Sequence, residues 1–230
     1  MAQLTEMAID KIRSLIIHGD LPPGARLPPE QELAGQLGSS RNTTREAVRA
    51  LVTARVLDVR RGDGTYVTSL RPELLLEGVG FAVELVQDEN ALQLTELRKA
   101  LEPAATELAA QRIDEAGLGR VRHHLTLMRE SADVEELVTH DADFHAAVAG
   151  ATGNPAMASV LRGISSRTLR GRVWHGVMES DAMQRTIAEH ERIYEALEAR
   201  DPALARAAAL LHVSTTENFV RRVLAQSSDV

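Results

Sequence analysis

The 230-residue chain has no cysteine. That single absence removes disulfides, thiolate zinc sites, iron–sulfur clusters and cysteine nucleophiles. Aromatic residues are scarce, at 3%, so any core must be aliphatic; a chain rich in Ala, Leu and Arg favours packed helices. No apolar run approaches the roughly 18 residues that read as a membrane span. No basic stretch followed by an apolar one opens the chain, so no secretory leader is read and a cytoplasmic protein is expected. What is present is a hydrophobic content of 44%, enough for a real core and incompatible with disorder over most of the chain. The length fits one large domain or two small ones.

The charge is uneven. The net charge is -7, yet residues 1–69 hold nine basic and eight acidic side chains, against 17 and 25 in residues 70–230. Between 41 and 61 stand Arg41, Arg45, Arg49, Arg55, Arg60 and Arg61, opposed only by Glu46 and Asp58. Such a cluster on an acidic protein is either a solvated helix face or a surface that meets phosphates.

The N-terminal third reads as three helices and a hairpin. Leu4, Met7, Ala8, Ile12, Leu15 and Ile16 recur at helical spacing over 4–18, and Gly19 with Leu21-Pro22-Pro23-Gly24 ends that helix. A short helix follows Leu27-Pro28-Pro29-Glu30, burying Leu33, Ala34 and Leu37 and stopping at Gly38. Ser39 or Ser40 caps a third helix over about 41–54, whose buried side is Ala47, Val48, Leu51 and Val52. Arg41, Arg45 and Arg49 lie four apart on another face, as a helix that reads a DNA groove requires. Glu46 stands beside that stripe, placed to orient an arginine. The pattern then turns extended through Val56, Leu57 and Val59; Arg60 and Arg61 follow, Gly62-Asp63-Gly64 turns, and Thr65-Tyr66-Val67 returns.

Residues about 8–68 resemble the winged helix-turn-helix of GntR-type bacterial transcription regulators. The resemblance is carried by Pro23-Gly24, Leu27-Pro28, Glu30, Leu33-Ala34 and Leu37-Gly38. It continues through Ser40-Arg41, Arg45-Glu46-Ala47-Val48-Arg49 and Leu51, and ends with Arg61-Gly62 and Gly64-Thr65-Tyr66-Val67. It implies that Arg41, Arg45 and Arg49 meet a DNA operator, with Asn42 and Thr43 near base edges or phosphates. A wing bearing Arg60 and Arg61 would lie beside phosphate or the minor groove, and Gly64 lets its tip approach. Four positions depart from the pattern. Gln31 stands where an arginine is common, Pro29 where a capping serine is usual, Thr44 where an aliphatic residue is usual, and Arg55 where a glycine is usual.

The rest reads as all-helical. Pro72 and the 77–80 region mark a join. A helix is expected through Leu94 to Ala109 (with Pro103 inside), and others at about 114–130, 133–150, 155–176, 180–200 and 202–225, the last opened by Asp201-Pro202. The expected architecture is therefore mainly α. It comprises a winged helix-turn-helix over 1–69, a linker or short connecting helix over 70–80, and an antiparallel bundle of six or seven helices over 81–230.

Four polar residues stand out in that bundle. Asp141 and His145 are four apart, among Phe144, Ala147 and Val148. His190 lies between Ile187 and Ile193, and His212 between Leu211 and Val213. One carboxylate and three imidazoles from three helices can hold a divalent ion; singly, each histidine reads equally as a hydrogen-bonded core or surface residue. His123, His124, His140 and His175 carry no motif. Residues about 92–220 resemble the all-helical ligand domain of the fatty-acid-regulator subgroup of the same family. The pieces are Glu96-Leu97-Arg98, Leu101-Glu102, Asp141, Phe144-His145, Gly153-Asn154-Pro155, Glu189-His190, Ile193 and His212. The resemblance implies that Asp141, His145, His190 and His212 hold a metal, zinc first, with nickel, manganese, cobalt or iron also suited. It points Arg98 toward the cavity, where it would meet the carboxylate of a small organic acid. Surface pairing of Arg98 with Glu102 is the alternative, and Arg167, Arg170 and Arg172 are further candidates.

The function implied is ligand-controlled DNA binding by a homodimer on a palindromic operator, most simply a repressor released by its effector. Two other readings stand beside it. One is a metal-dependent enzyme using the Asp/His set; the other is a DNA-binding protein whose metal is purely structural.

Overall fold

The computed structural model describes residues 2–76, 78, 79, 83, 90–165 and 183–228. Expected helical turns within 166–182, together with Arg167, Arg170, Arg172 and His175, lie outside the described residues. The chain divides into two compact units, Met1–Leu75 and Leu76–Val230.

The first unit contains α1 (Ala2–Ile17), α2 (Glu30–Leu37), α3 (Arg41–Thr53), β1 (Leu57–Arg60), β2 (Gly64–Val67) and the short α4 (Pro72–Leu75). Ala8 and Ile12 of α1 meet Leu33 and Leu37 of α2, Ala47, Val48 and Leu51 of α3, and Leu57 and Val67 of the strands. Full burial of each large aliphatic side chain in this cluster contributes about 1.5–3 kcal/mol. Gly38 takes φ 61°, and the reversed chain lets Ser39 N donate to Ala34 O at 3.0 Å. The Ser40 hydroxyl then accepts from Thr43 N at 3.1 Å and opens α3.

The departures from the family pattern have local explanations. Thr44 is fully buried, and its hydroxyl lies 2.8 Å from Ser39 Oγ, so a polar group at an aliphatic position is not orphaned. Pro29 offers no side-chain cap to α2, but its carbonyl accepts from Leu33 N at 2.9 Å, and Glu30 and Glu32 complement the helix dipole in the first turn. Gln31 is exposed. Arg55 adopts φ 58°, the left-handed region that an L side chain enters at roughly 1–2 kcal/mol. Replacement Arg55→Gly is expected to raise the stability of this unit by about 0.5–1 kcal/mol, because glycine's larger loss of chain freedom offsets part of the relief. A urea unfolding midpoint that falls instead would show that the Arg55 side chain holds the turn.

The strands pair antiparallel, Leu57 with Val67 through Arg60 with Gly64. The turn is therefore residues 61–63, and Gly64 begins β2 rather than closing the turn. Residues 24–27 add a third extended segment: Gly24 N donates to Val67 O at 2.9 Å, Val67 N to Ala25 O at 2.9 Å, and Leu27 N to Thr65 O at 2.8 Å.

The second unit contains α5 (Ala91–Arg112), α6 (Glu115–Glu130), α7 (Val134–Ala151), α8 (Pro155–Ile164), α9 (Met183–Glu198) and α10 (Pro202–Ser228). The helix starts are set by side-chain caps: Asp114 accepts from Gly117 N, Asp133 from Glu136 N, Asn154 from Met157 N and Asp201 from Leu204 N. Helix α5 continues through Pro103. It packs against α7, α8, α9 and α10, and α6 packs against α7 and α9. The aliphatic core runs through Ala109, Ile113, Val121, Leu125, Met128, Val148, Ile193, Leu197 and Ala209. Within it, α5, α7, α9 and α10 surround a polar centre.

Candidate functional site

The polar centre is built from side chains on four helices, all buried but the half-buried His145. His145, His190 and His212 each present a ring nitrogen, and these three atoms lie within 4.8 Å of one another. Asp141 Oδ1 is 2.8 Å from His190 Nε2 and 3.8 Å from His145 Nε2, and the two Nε2 atoms are 3.1 Å apart. Metal–nitrogen bonds of about 2.0–2.1 Å put neighbouring donors about 3 Å apart, so the three imidazoles suit one ion, with Asp141 beside His190 and His145 but outside that 4.8 Å group. Helical geometry produces the set. Asp141 and His145 share one face of α7, while α9 and α10 bring His190 and His212 to meet it. Phe144, fully buried, sets the edge of its ring against His145 and His190.

Two of the imidazoles are hydrogen-bonded through their other nitrogen, and the third faces a carboxylate there. His190 Nδ1 is 2.8 Å from the Thr186 carbonyl, His212 Nδ1 is 3.2 Å from Glu189 Oε2, and His145 Nδ1 is 3.5 Å from Glu102 Oε2. Such outer partners fix ring orientation and leave Nε2 to face a metal. Burial holds the His212 imidazole below its ordinary value, with His190 adding to the effect; Glu189, Asp141 and Glu102 oppose it. The ring is therefore neutral at neutral pH, the form that donates to a metal.

Arg98 joins this centre through Glu102. Its Nε donates to Glu102 Oε1 at 2.6 Å, and the Ser165 hydroxyl donates to the same oxygen at 2.9 Å. The Arg98–Glu102 pair exists, but it is buried: Arg98 is 1% exposed, so the surface alternative is corrected. Burial alone would lower the guanidinium; the charge and hydrogen bond of Glu102, and the charge of Asp141, outweigh it and raise Arg98. Sequence reasoning alone does not bring Glu102, Thr186 and Ser165 into the site. The i, i+4 spacing of Arg98 and Glu102, and the adjacency of Glu189 to His190, are the available signals.

In the first unit, Arg41, Asn42 and Arg49 are exposed on α3, and Thr43 and Arg45 are half-buried. Arg41 and Arg45 both approach Glu30 Oε2, at 3.7 and 3.3 Å, while Glu46 orients Arg49 at 2.9 Å. Arg60 and Arg61 are exposed on the hairpin, Arg60 with its guanidinium 4.1 Å from the Tyr66 ring centre. A Cβ on Gly64 would lie 2.7 Å from Arg26 Nε. Arg26, which no sequence motif singles out, donates through Nη2 to the Asp63 carbonyl and so braces the turn between the strands.

Comparison with known proteins gives this arrangement a family. A profile described as "Bacterial regulatory proteins, gntR family" matches residues 4–67, and one described as "FCD domain" matches residues 93–215. The chain belongs to the GntR family, in the group with an FCD domain. It is a DNA-binding, ligand-responsive transcriptional regulator with a winged helix-turn-helix and a helical second domain. It is 34% identical to the HTH-type transcriptional regulator LutR of Bacillus subtilis, over 90% of this chain and 96% of that one. It is 27% identical to the galactonate operon transcriptional repressor of Escherichia coli, over 95% and 97%. A solved GntR structure from Streptococcus agalactiae is 31% identical and covers 93% of this chain and 99% of its own, with a TM-score of 0.63. FCD domains bind metal, and the donor set above is of the matching kind. Among the described residues, no helix is long and apolar enough to cross a membrane.

Proposed function

We propose that this GntR-family protein is a cytoplasmic repressor that binds a palindromic operator as a homodimer and is released by a small carboxylate bound at a metal in the FCD domain. The observation that carries the effector reading is the polar centre between the helices. Three imidazoles converge there with Asp141 beside His190, and Glu102 ties Arg98 to His145.

Asp141, His145, His190 and His212 would hold the divalent ion, zinc being the best suited to three imidazoles and one carboxylate. Bound there, the ion supplies a Lewis-acidic centre that a carboxylate can engage. Arg98, charged and buried, offers a planar fork of donors to the same carboxylate. A competing carboxylate would draw Arg98 from Glu102, and Glu102 contacts His145 on α7. Ligand arrival thus alters contacts among α5, α7 and the end of α8, where Ser165 sits. The similarity to a galactonate operon repressor supports a small organic acid as the effector class. The site is read as a sensor rather than a catalyst, because an attached DNA-binding unit gives a bound ligand something to control.

On the DNA side, Arg41, Arg45 and Arg49 would face the major groove with Asn42 and Thr43. Arg60, Arg61 and the hairpin backbone at Gly64 would face phosphate or the minor groove. Two protomers would present two α3 helices about one DNA turn apart, roughly 34 Å. Effector release needs a differential affinity for the two states of roughly 1–3 kcal/mol, or 5–150-fold in operator binding.

The test is electrophoretic mobility of the protein's own upstream intergenic DNA with metal-loaded protein and a panel of small organic acids. A specific shift released by one acid is expected. A shift unchanged by every acid overturns the effector reading and leaves the metal as a staple. Turnover of an acid in the same mixtures would replace the sensor with an enzyme.

A further inference from the structure

A second cluster of histidines lies in the helical unit, apart from the centre just described. His124 on α6 and His140 and Asp143 on α7 each present a ligand atom, and these atoms lie within 4.8 Å of one another. The rings of His124 and His140 are 5.9 Å apart between centres and inclined by 33°. All three residues are half-buried. The Nδ1 atoms of both histidines are sealed from solvent, and neither has a hydrogen-bond partner among the described residues. A buried ring nitrogen without a partner is uncommon in a folded protein and calls for an explanation, an ion being one.

The placement follows from the helices. His140 and Asp143 are three apart and share one face of α7; Asp141 and His145 occupy a different face of the same helix. Helix α6 packs along α7 and brings His124 to the first of these faces. Two imidazoles and a carboxylate are borderline donors, suited to first-row divalent ions at the zinc end of the series. Three protein ligands leave further positions to water, so such an ion exchanges more readily than one held by four.

We propose that His124, His140 and Asp143 form a second divalent-metal site, weaker than the first and exchangeable, that staples α6 to α7. The two sites share no ligand, so the outer site stands without the central one; only its rank as the weaker of two rests on the central reading. Its consequence is that α7 carries metal ligands on two faces, so occupancy of the outer site restrains the helix that supplies Asp141 and His145.

The experiment uses full-length protein stripped of metal and titrated with zinc against a chromophoric chelator, with elemental analysis of the saturated protein. Two ions per protomer are expected, the second bound at least ten-fold more weakly. His124→Gln with His140→Gln should hold one ion, the tight one. His190→Ala should keep the weak ion while losing the tight one. Saturation of unmutated protein at one ion that the double variant retains would overturn the second site, as would two ions in the double variant. One ion that the double variant loses and His190→Ala keeps would uphold the outer site and overturn the central one. Cobalt absorption of the unmutated protein provides a readout independent of variant folding. A second equivalent should add a protein-bound spectrum distinct from the first, and titration into a free-ion spectrum would overturn the proposal.

Discussion

His190→Ala protein should lose most of its tightly bound metal and the stabilisation that this ion gives the FCD domain. His190 is fully buried and central to the proposed ligand set: its Nε2 is 2.8 Å from Asp141 Oδ1 and 3.1 Å from His145 Nε2. Loss of an outer partner typically weakens a metal site by about 10–100-fold, and loss of a ligand should exceed that. Metal at about one hundred times its dissociation constant stabilises a folded protein by about 2.7 kcal/mol. For a domain of this size, roughly 2–4 °C per kcal/mol gives a metal-induced rise in Tm of roughly 5–10 °C. At metal concentrations that fill only the tight site, that rise should be present in unmutated protein and absent from the variant. The truncation also opens a cavity and removes a partner of Asp141, so the two metal-free proteins will differ in Tm. The informative quantity is therefore the difference with and without metal within each protein. Full occupancy of the tight site by elemental analysis of His190→Ala would remove the residue from the ligand set.

Much of the architecture is legible in the sequence because local signals agree with one another. Asp201-Pro202 announces a helix start that the structure contains, and Gly38 announces a stop that its left-handed φ provides. The convergence of Asp141, His145, His190 and His212 is legible only through family likeness, since nothing local says that three helices meet at those positions. The network behind it is less visible. Glu102 reads as the partner of Arg98 from spacing alone, but its reach to His145 and Ser165 joins α5 to α7 and to the end of α8, which no one-dimensional pattern reports. His124 and His140 look idle in the sequence for the same reason: they are 16 positions apart and become neighbours only when α6 and α7 pack. In the DNA-binding unit, Arg26 carries no sequence signal because its role depends on residues 24–27 lying beside β2.

Arg45→Ala should abolish discrimination between operator and random DNA while leaving the fold intact. The residue lies on the polar side of α3, away from Ala47, Val48 and Leu51, which are buried in the core of the unit. Its structural partner is Glu30, at 3.3 Å, with both side chains 39% exposed. An exposed pair of this kind contributes about 0–1 kcal/mol, and Arg41 still approaches Glu30 after the change. The unfolding midpoint should therefore move little. Binding should change far more. An arginine on a base edge is worth about 1–3 kcal/mol of discrimination, and the proposed dimer carries two, so the operator affinity should fall by a factor on the order of 30 to above 10,000. The salt dependence separates the roles of neighbours. Arg49→Ala, if the residue meets phosphate, should weaken operator and random DNA alike and reduce the slope of log affinity against log salt by about one for each phosphate no longer neutralised. Equal losses on both DNAs for Arg45→Ala would make it a phosphate ligand too and shift base reading to Asn42 and Thr43. Unchanged affinity in a salt-matched titration would remove Arg45 from the interface.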